Sequence, residues 1–352
     1  MRDSIIYIYP SNASFVRKDI DFLSKKYKVL APKYNWTEKS KLPFLLLKQF
    51  FFLLVKSRKT KAIVIMFGGY WSFLPTLMGK LLNTKTYIIL GGTDCVSFPK
   101  LNYGSLRKPI LSKAIYWSYK WADKLLPVDE SLIEKNYSYW EESTFKKQGY
   151  KAFFKNLNTQ NKVIPNGFDT ELFSESKAKK KNNSFITVAK INSDKTFQLK
   201  GIDKLFFLAK EFPNCNFTVI GVDREKVNLT EVPQNIKLLP FMLATEFVSY
   251  LHIHQFVIQL SISEGFPNAL CEAMLCNCIP VVSNVGAMPG IIKESGFIMN
   301  SSKEDNLKKR FKAILNTTDK ERNLLSKEAR KIVVENYPIS KREQLLLQEI
   351  EA

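Results

Sequence analysis

The 352-residue sequence predicts an α/β protein built from two doubly wound domains, each a parallel sheet with helices on both faces. The length exceeds that of one typical domain and suits two of about 150–200 residues. Hydrophobic residues make up 45% of the chain, which is enough for a packed core in each half. Short, continuous apolar runs alternate with longer helical stretches, a pattern typical of strands buried on both faces of a parallel sheet.

Strand and helix patterns alternate through both halves of the chain. In the first half we predict strands at 5–9, 29–31, 62–66, 86–90 and 124–128, with helices at 71–82 and 108–122. In the second half we predict strands at 184–188, 216–220, 236–238, 256–260 and 279–282, with helices at 201–211, 244–251, 268–276, 303–316 and 319–335. The halves meet near KVIPNGFDTELF (162–173), where a strand runs into Pro-Asn-Gly turn residues. We therefore expect one domain at 1–164 and a second at 165–335.

The positive charge of the chain is concentrated in its first half. The formal net charge is +20, and residues 1–164 contain 28 basic and 11 acidic residues, whereas residues 165–352 contain 25 and 22. An excess confined to one half indicates that this half faces an anionic partner. Nucleic acid is a poor candidate for that partner, because the sequence has no aromatic-glycine RNA-binding signature, zinc finger or clear recognition-helix pattern.

A basic and apolar stretch, KSKLPFLLLKQFFFLLVKSRKTK (39–61), contains seven lysine or arginine residues and no acidic residue. Lys48 and Gln49 interrupt its apolar run, which is shorter than the roughly 20 residues that a membrane span needs. We predict a helix that is partly buried in the domain or lies at an anionic bilayer surface, where each basic residue contributes about 1 kcal/mol. The alternative is a core helix with solvated basic ends.

The N-terminus and the cysteines indicate a cytoplasmic protein. MRDSIIYIYP lacks the long apolar region and the small-residue cleavage site of a signal peptide. The five cysteines have no zinc-ligand spacing with His252 or His254, so we expect reduced, mostly buried thiols. Together with the basic first half, these features predict a protein that is peripheral on the inner face of the cell membrane.

Two glutamates flank a turn in SISEGFPNALCEAM (261–274). This segment joins the predicted strand 256–260 to the predicted helix 268–276, so Glu264 lies on a loop at the carboxyl end of a strand, where such sheets bind ligands. The helix start tolerates Pro267 and offers backbone N–H groups to an anion such as a diphosphate. Glu264 would then reach the reacting region, and Glu272, about one turn into the helix, would accept hydrogen bonds from sugar or ribose hydroxyls.

Two lysines are placed to face those phosphates. Lys190 lies at the end of the predicted strand 184–188, and Lys200 precedes Gly201 at the start of the next helix. Both would lie at the same sheet edge as Glu264, and a lysine ammonium suits phosphate oxygens. A Lys-Gly pair before a helix is by itself most often a surface feature, but the neighbouring glutamate motif favours a binding role.

These segments resemble the retaining glycosyltransferases of family four, which have the GT-B fold. EGFPNALCEAM (264–274) looks like their E-x7-E signature, and VIPNGFDTELF (163–173) resembles the segment that opens their second domain. The strand VAKI and the LKGID segment (188–203) are similar to the elements that bind the donor diphosphate. Further similar segments, in the right order, are LGGTD (90–94), WADKLLPVDESLIE (121–134) and CIPVVSNVGAMPGII (278–292). The resemblance implies two Rossmann-like domains facing a cleft, with a C-terminal helix at 336–352 that crosses back to the first domain.

The resemblance also implies a role for each site residue. Glu264 and Asp94 are the predicted catalytic residues: Glu264 would contact the hydroxyls of the donor sugar, and Asp94 would lie in the first domain near the acceptor or sugar. Glu272 would bind the ribose, while Lys190 and Lys200 would neutralise the departing diphosphate, so that no metal or other cofactor is required. The other predicted members of the donor pocket are Gly265, Phe266, Pro267, Asn268, Ala269 and Leu270.

Two positions depart from the family pattern. Gly91 stands where many relatives have a histidine, just before the Gly-Thr-Asp segment. Lys190 stands where relatives usually carry arginine, which keeps the charge but loses the bidentate guanidinium fork. The acceptor side of the site is therefore expected to differ more from the relatives than the donor side.

The predicted function is the transfer of a sugar, with retention of its anomeric configuration, from a nucleotide-diphosphate sugar to a glycan or polyprenyl-diphosphate-linked acceptor. Such a reaction would serve the biosynthesis of a bacterial surface polysaccharide, such as lipopolysaccharide or capsule. Two alternatives stay open. One is a catalytically silent relative that binds a partner or glycan, and the other is a sugar-nucleotide epimerase, which relies on more carboxylates and histidines than this sequence offers.

Overall fold

The structure is a computed structural model that describes residues 3–229 and 231–352, without the side chain of Lys39. Residues 1 and 2, with which the predicted first domain begins, therefore lie outside the described residues. The chain forms two compact units. Unit 1 contains the described residues up to Asn136 together with Lys147–Asn166 and Ser340–Ala352, and unit 2 contains Tyr137–Lys146 and Gly167–Ile339. The units change at Asn166/Gly167 and Ile339/Ser340, two and four residues after the predicted boundaries, and Tyr137–Lys146, which the prediction assigned to the first domain, belongs to unit 2.

Strands and helices alternate along the chain. The strands are β1 (Ser4–Ile8), β2 (Lys28–Leu30), β3 (Ala62–Met66), β4 (Lys85–Leu90), β5 (Lys124–Pro127), β6 (Lys135–Asn136), β7 (Lys147–Gln148), β8 (Lys181–Ile191), β9 (Asn216–Val222), β10 (Ile236–Leu239), β11 (His254–Gln259), β12 (Ile279–Ser283) and β13 (Phe297–Met299). The α-helices are α1 (Ser14–Ser24), α2 (Leu42–Lys56), α3 (Tyr70–Leu82), α4 (Pro109–Trp121), α5 (Tyr150–Phe153), α6 (Asp194–Leu199), α7 (Ile202–Glu211), α8 (Ala244–Ile253), α9 (Asn268–Leu275), α10 (Met288–Ile292), α11 (Glu304–Leu315), α12 (Asp319–Asn336) and α13 (Ile339–Glu351).

Each unit is organised around one parallel sheet, which confirms the predicted α/β class with two doubly wound sheets. Within the described residues, the strand order is β2-β1-β3-β4-β5 in unit 1 and β10-β9-β8-β11-β12-β13 in unit 2. Parallel pairing buries both faces of the central strands, which explains why β3 (AIVIM) and β12 (IPVVS) are buried at every residue.

The order of the unit 2 sheet locates its ligand-binding edge. β8 and β11 are neighbours at the centre, and the chain continues from β8 to β9 on one side and from β11 to β12 on the other. In open α/β sheets, ligands bind outside the carboxyl ends of the strands at such a switch point. Glu264 lies in the loop after β11, and Lys200 follows α6, the short helix after β8. These are the residues on which the sequence analysis depends most.

Helix α13 is tied into unit 1 by buried charge. The Arg342 side chain is 4% exposed and its Nε and Nη2 atoms each lie 2.7 Å from an oxygen of Asp19, which is fully buried. About two turns further along the helix, Glu349 accepts from Lys124 at 2.5 Å and from Lys162 at 2.6 Å. These ion pairs join the last helix of the chain to α1 through Asp19, to β5 through Lys124, and to Lys162.

Helix α2 forms the centre of the basic and apolar stretch at 39–61. It buries Leu45, Gln49 and Leu53, which lie four residues apart along one face. In the described ranges, no helix is long and apolar enough to cross a membrane.

Candidate functional site

The carboxylate of Glu264 is held at the carboxyl end of β11 by three donors. Its Oε1 atom accepts from Lys200 Nζ at 2.5 Å, from Gln259 Nε2 at 2.8 Å and from Ser261 Oγ at 2.9 Å. The Glu264 side chain is 10% exposed and that of Lys200 is 25% exposed. A charge-assisted contact with this geometry is short and strongly orienting. The structure thus brings together the two residues that the sequence analysis placed at one sheet edge.

Gly201 determines where Lys200 lies. The residue has φ +69°, a left-handed backbone conformation that glycine adopts without a steric penalty. A Cβ atom at this position would lie 2.1 Å from the carbonyl oxygen of Leu260, at the end of β11. Only glycine allows this close approach, which is reinforced by a 2.8 Å hydrogen bond from Ile262 N to Leu199 O. The Lys-Gly pair is therefore fixed to the loop that carries Glu264.

Three hydroxyl groups fix the backbone of the same loop from other elements. Tyr137 donates to the carbonyl of Ile262 at 2.7 Å, Tyr139 donates to that of Leu260 at 3.4 Å, and Ser283 at the end of β12 donates to that of Ser261 at 2.6 Å. Burial raises the pKa of Tyr137, so its hydroxyl is a neutral donor at all physiological pH values.

The sequence analysis missed these tyrosines. They lie in Tyr137–Lys146, more than 120 residues before the loop, and no local pattern marks them as its supports. Gln259 and Ser261, the other two donors to Glu264, did leave a signal: they are the polar residues in the otherwise apolar run FVIQLSI. A buried polar side chain in such a run indicates a specific hydrogen-bond partner.

The start of α9 is packed firmly against the rest of unit 2. Pro267 caps the helix, and its carbonyl accepts from the N–H groups of Leu270 and Cys271. The Phe266 ring, 8% exposed, stacks on Phe168 with a centroid distance of 6.0 Å and meets Tyr337 edge-on.

The predicted pocket residues on this segment fall into two groups. Gly265, Phe266, Pro267 and Leu270 are buried. The residues at a half-buried surface, where a side chain can reach solvent, are Asn268, Ala269 and Glu272. Their predicted contacts with a donor stay predictions.

A pocket of about 810 Å³ lies at the carboxyl ends of β8 and β9. The exposed side chain of Lys190 lines it, together with Asn192, Pro240, Phe241 and the segment from Gly221 to Lys226. The segment GVDREK was not predicted as part of the site. Its position after a buried strand next to β8, with four consecutive charged residues, is the signal that would have found it.

Asp94 lies in unit 1, in a short turn after β4, and is 1% exposed. Its Oδ2 accepts from Gly68 N and from the Tyr119 hydroxyl, both at 2.8 Å, and its Oδ1 accepts from Gly92 N at 3.1 Å. Burial raises the pKa of Asp94, and these donors oppose that shift. These contacts indicate that Asp94 positions the loops after β3 and β4. Its predicted role in catalysis stays a prediction.

No metal centre is evident in the part of the chain that the structure describes. No group of three or more His, Cys, Asp or Glu side chains there is arranged to hold an ion. All five cysteines are free and buried. The expectation that the reaction needs no metal stays a prediction.

Known proteins resemble the chain at the level of sequence and of fold. Residues 168–332 match the family model described as glycosyl transferases group 1. An uncharacterized glycosyltransferase of Haemophilus influenzae is 25% identical over 346 residues, which cover 92% of this chain and 88% of that protein. Among solved structures, sucrose-phosphate synthase from Thermosynechococcus elongatus matches with a TM-score of 0.72 and 12% identity, covering 99% of this chain and 98% of its own. HepE of Anabaena, solved in complex with UDP, matches with a TM-score of 0.70 and 13% identity, covering 99% of both chains.

These comparisons agree with the geometry of the site. The structural matches extend over both units and confirm the predicted GT-B fold. The matched family segment contains the loop of Glu264, the Lys-Gly pair and the start of α9. We conclude that the chain has the GT-B fold and is a glycosyltransferase, and that the segment similar to the group 1 family lies at residues 168–332.

Proposed function

We propose that the chain transfers a sugar from a nucleotide-diphosphate sugar, with retention of anomeric configuration, to a glycan acceptor linked to a lipid such as a polyprenyl diphosphate. The reaction would take place on the cytoplasmic face of the cell membrane and serve a bacterial surface polysaccharide, such as lipopolysaccharide or capsule. The observation that carries the proposal is the contact between Lys200 and Glu264 at the switch point of the unit 2 sheet.

This contact matches the chemistry of the donor. A sugar diphosphate carries anionic oxygens beside a ring whose hydroxyls donate hydrogen bonds. Lys200 and Glu264 offer an ammonium and a carboxylate side by side, at 2.5 Å. When the bond between the sugar and the diphosphate breaks, negative charge grows on the leaving group, and a positioned ammonium stabilises it. Lys190, in the pocket after β8, is placed for the same anion or for the nucleotide attached to it.

Nucleotide binding tests the donor half of this proposal. We expect one nucleotide diphosphate, and the nucleotide-diphosphate sugars derived from it, to raise the unfolding temperature of the protein without added metal. A ligand at 100 times its dissociation constant adds about 2.7 kcal/mol of stability. The Lys200→Ala variant should lose most of this increment, because it removes the cation at the switch point. A shift of equal size with the corresponding nucleoside would contradict a diphosphate-binding site. The absence of a shift with every nucleotide would contradict it as well.

The outward face of α2 supports the membrane half of the proposal. Five large apolar side chains on this helix are 45–65% exposed: Phe44, Leu47, Phe51, Leu54 and Val55. Lys41, Lys48, Lys56, Arg58 and Lys59 are exposed on or beside it. Apolar residues framed by basic ones fit the interface of an anionic bilayer, in which the apolar side chains are buried and the cations face lipid headgroups.

We expect the protein to sediment with vesicles that contain phosphatidylglycerol and to be released at high salt. Replacing Leu47 and Phe51 by serine should weaken this binding about tenfold or more, since each side chain buries apolar area in the bilayer. Leu324→Ser on α12, where the leucine is 62% exposed, is the matched control and should leave binding unchanged. If the α2 variant and the Leu324→Ser control bind vesicles equally well, the assignment of this face to a membrane is overturned. It is also overturned if the protein is a dimer that dissociates when α2 is changed.

A further inference from the structure

Phe67 has a backbone conformation that is rare for a residue with a side chain. It follows β3 directly and has φ +62°, in the left-handed region. Such a conformation is strained and persists only where the surrounding structure imposes it. The ring is half-buried, so the conformation does not serve to place a core side chain. Strained residues of this kind concentrate at sites that bind ligands.

The neighbours of Phe67 impose this conformation through its backbone. Its N–H group donates to Ile89 O on β4 at 2.8 Å, and its carbonyl accepts from the indole of Trp71 at 2.9 Å. The N–H group of the next residue, Gly68, donates to the buried carboxylate of Asp94. The backbone is thus fixed on both sides of the strained residue, and the buried Asp94 acquires a clear positioning role.

The ring of Phe67 occupies the space beside Gly91, the first residue after β4. A Cβ atom at Gly91 would lie 1.6 Å from Cε1 of Phe67, so no side chain fits at this position while the ring is there. On its other side the ring meets Phe15, near the start of α1, edge-on with a centroid distance of 5.8 Å. Phe15, Phe67 and Gly91 follow the strands β1, β3 and β4, which are adjacent in the sheet.

From this placement we propose that Phe67, supported by Phe15, is the surface against which the acceptor sugar packs the apolar face of its ring. The carboxyl edge of a doubly wound sheet is where ligands bind, and aromatic side chains line most small-molecule sites. Gly91 is glycine because the aromatic ring needs its space. The inference rests on the proposed function, since it names the acceptor side of the same reaction, but it concerns unit 1 alone.

The experiment measures glycoside binding and use by the whole protein. The probes are the n-octyl glycosides of glucose, galactose and N-acetylglucosamine, with transfer from the nucleotide sugar that gives the largest thermal shift. We expect Phe67→Ala to raise KM for the preferred glycoside about tenfold or more, and Phe67→Tyr to restore it, because tyrosine keeps the aromatic face. Phe145→Ala, at an aromatic residue of unit 2 that is 37% exposed, is the matched control. Binding of glycosides that do not accept sugar is compared by saturation-transfer NMR.

Each outcome of this experiment either supports or overturns the proposed role of Phe67. A panel in which no glycoside binds or accepts sugar, or a Phe67→Ala variant that binds and uses glycosides as well as the parent, overturns the proposal. Loss of farnesyl diphosphate binding without loss of glycoside binding also overturns it, because the ring would then serve a lipid. The thermal shift with nucleotide diphosphates is measured on the same variants. If that shift is absent in the parent protein, the proposed function fails, whereas a retained shift with unchanged glycoside use means that only this inference fails.

A double substitution tests the steric pair itself. Gly91→Ala alone should destabilise the protein and weaken glycoside binding, because the added methyl group displaces the ring. Gly91→Ala combined with Phe67→Ala should recover the lost stability but not the glycoside binding. Equal destabilisation of both variants would show that Gly91 and Phe67 do not compete for the same space.

Discussion

Replacing Glu264 by glutamine is expected to lower the rate of sugar transfer about a hundredfold to a thousandfold, the range measured when a single charge-stabilising group is removed from an active site. Glutamine keeps the size of the side chain and can still accept from Gln259 and Ser261. It removes the negative charge that faces the Lys200 ammonium at 2.5 Å and the charged acceptor for the sugar hydroxyls. The effect should appear in kcat, measured with saturating nucleotide sugar.

The control for this prediction is Glu304→Gln, at an exposed glutamate in the first turn of α11. It changes the net charge equally and should leave the rate within about twofold, as is usual for surface substitutions. A Glu264→Gln enzyme that works as fast as the control would exclude Glu264 from the chemistry. A parent protein that binds the nucleotide sugar but transfers nothing to any acceptor would instead favour the catalytically silent relative.

The fold was predictable because the two large sheets are parallel. Strands buried on both faces must be apolar throughout, so runs such as AIVIM at β3 stand out from the amphipathic helices between them. The predicted ends of the longer elements agree with the structure to within three residues in most cases, and strand 62–66 agrees completely. The short strands β6, β7 and β13 carry too few residues for a periodic pattern and were missed, and helix α1 (Ser14–Ser24) was also not predicted.

The donor side of the site was predictable for a different reason. Glu264 lies in the loop that directly follows β11, and Lys200 and Gly201 lie between α6 and α7, in the segment after β8. The topology of a doubly wound sheet brings the segments after neighbouring strands to one edge. Contacts between distant segments leave no comparable trace. The support that Tyr137 gives to Ile262 joins residues 125 apart in sequence, and only the folded chain shows it.

On the acceptor side, too, a contact between residues apart in sequence could not be predicted, although the separation is smaller. The sequence shows that Gly91 stands where a histidine is expected, but it does not show what occupies the place of the missing side chain. In the structure, the Phe67 ring fills that space. The compensating residue lies 24 positions earlier, at the end of a neighbouring strand, and it has no motif of its own. A departure at one position thus becomes interpretable only together with its spatial neighbour.

Replacing Arg342 by methionine is expected to destabilise the protein by about 3–5 kcal/mol, the usual cost of removing one partner from a buried ion pair. Arg342 makes two 2.7 Å contacts with Asp19, which is fully buried, and donates to the carbonyls of Ile164 and Pro165 at 3.1 and 3.0 Å. Methionine fills the volume but removes the cation from the Asp19 carboxylate, which still accepts from the Tyr7 hydroxyl at 2.9 Å. Urea unfolding of unit 1 measures the loss in the free energy of unfolding.

The same helix provides the matched control. Glu343 pairs with Lys25 at 3.4 Å, but the Lys25 side chain is 68% exposed, so Glu343→Gln should cost less than about 1 kcal/mol. Replacing both members of the buried pair, as in Asp19→Asn with Arg342→Met, should recover a large part of the stability, because no unpaired charge then remains inside. If Arg342→Met costs no more than Glu343→Gln, the buried pair does not anchor α13. If the double variant is as unstable as Arg342→Met, the loss comes from the two backbone carbonyls and not from the stranded carboxylate.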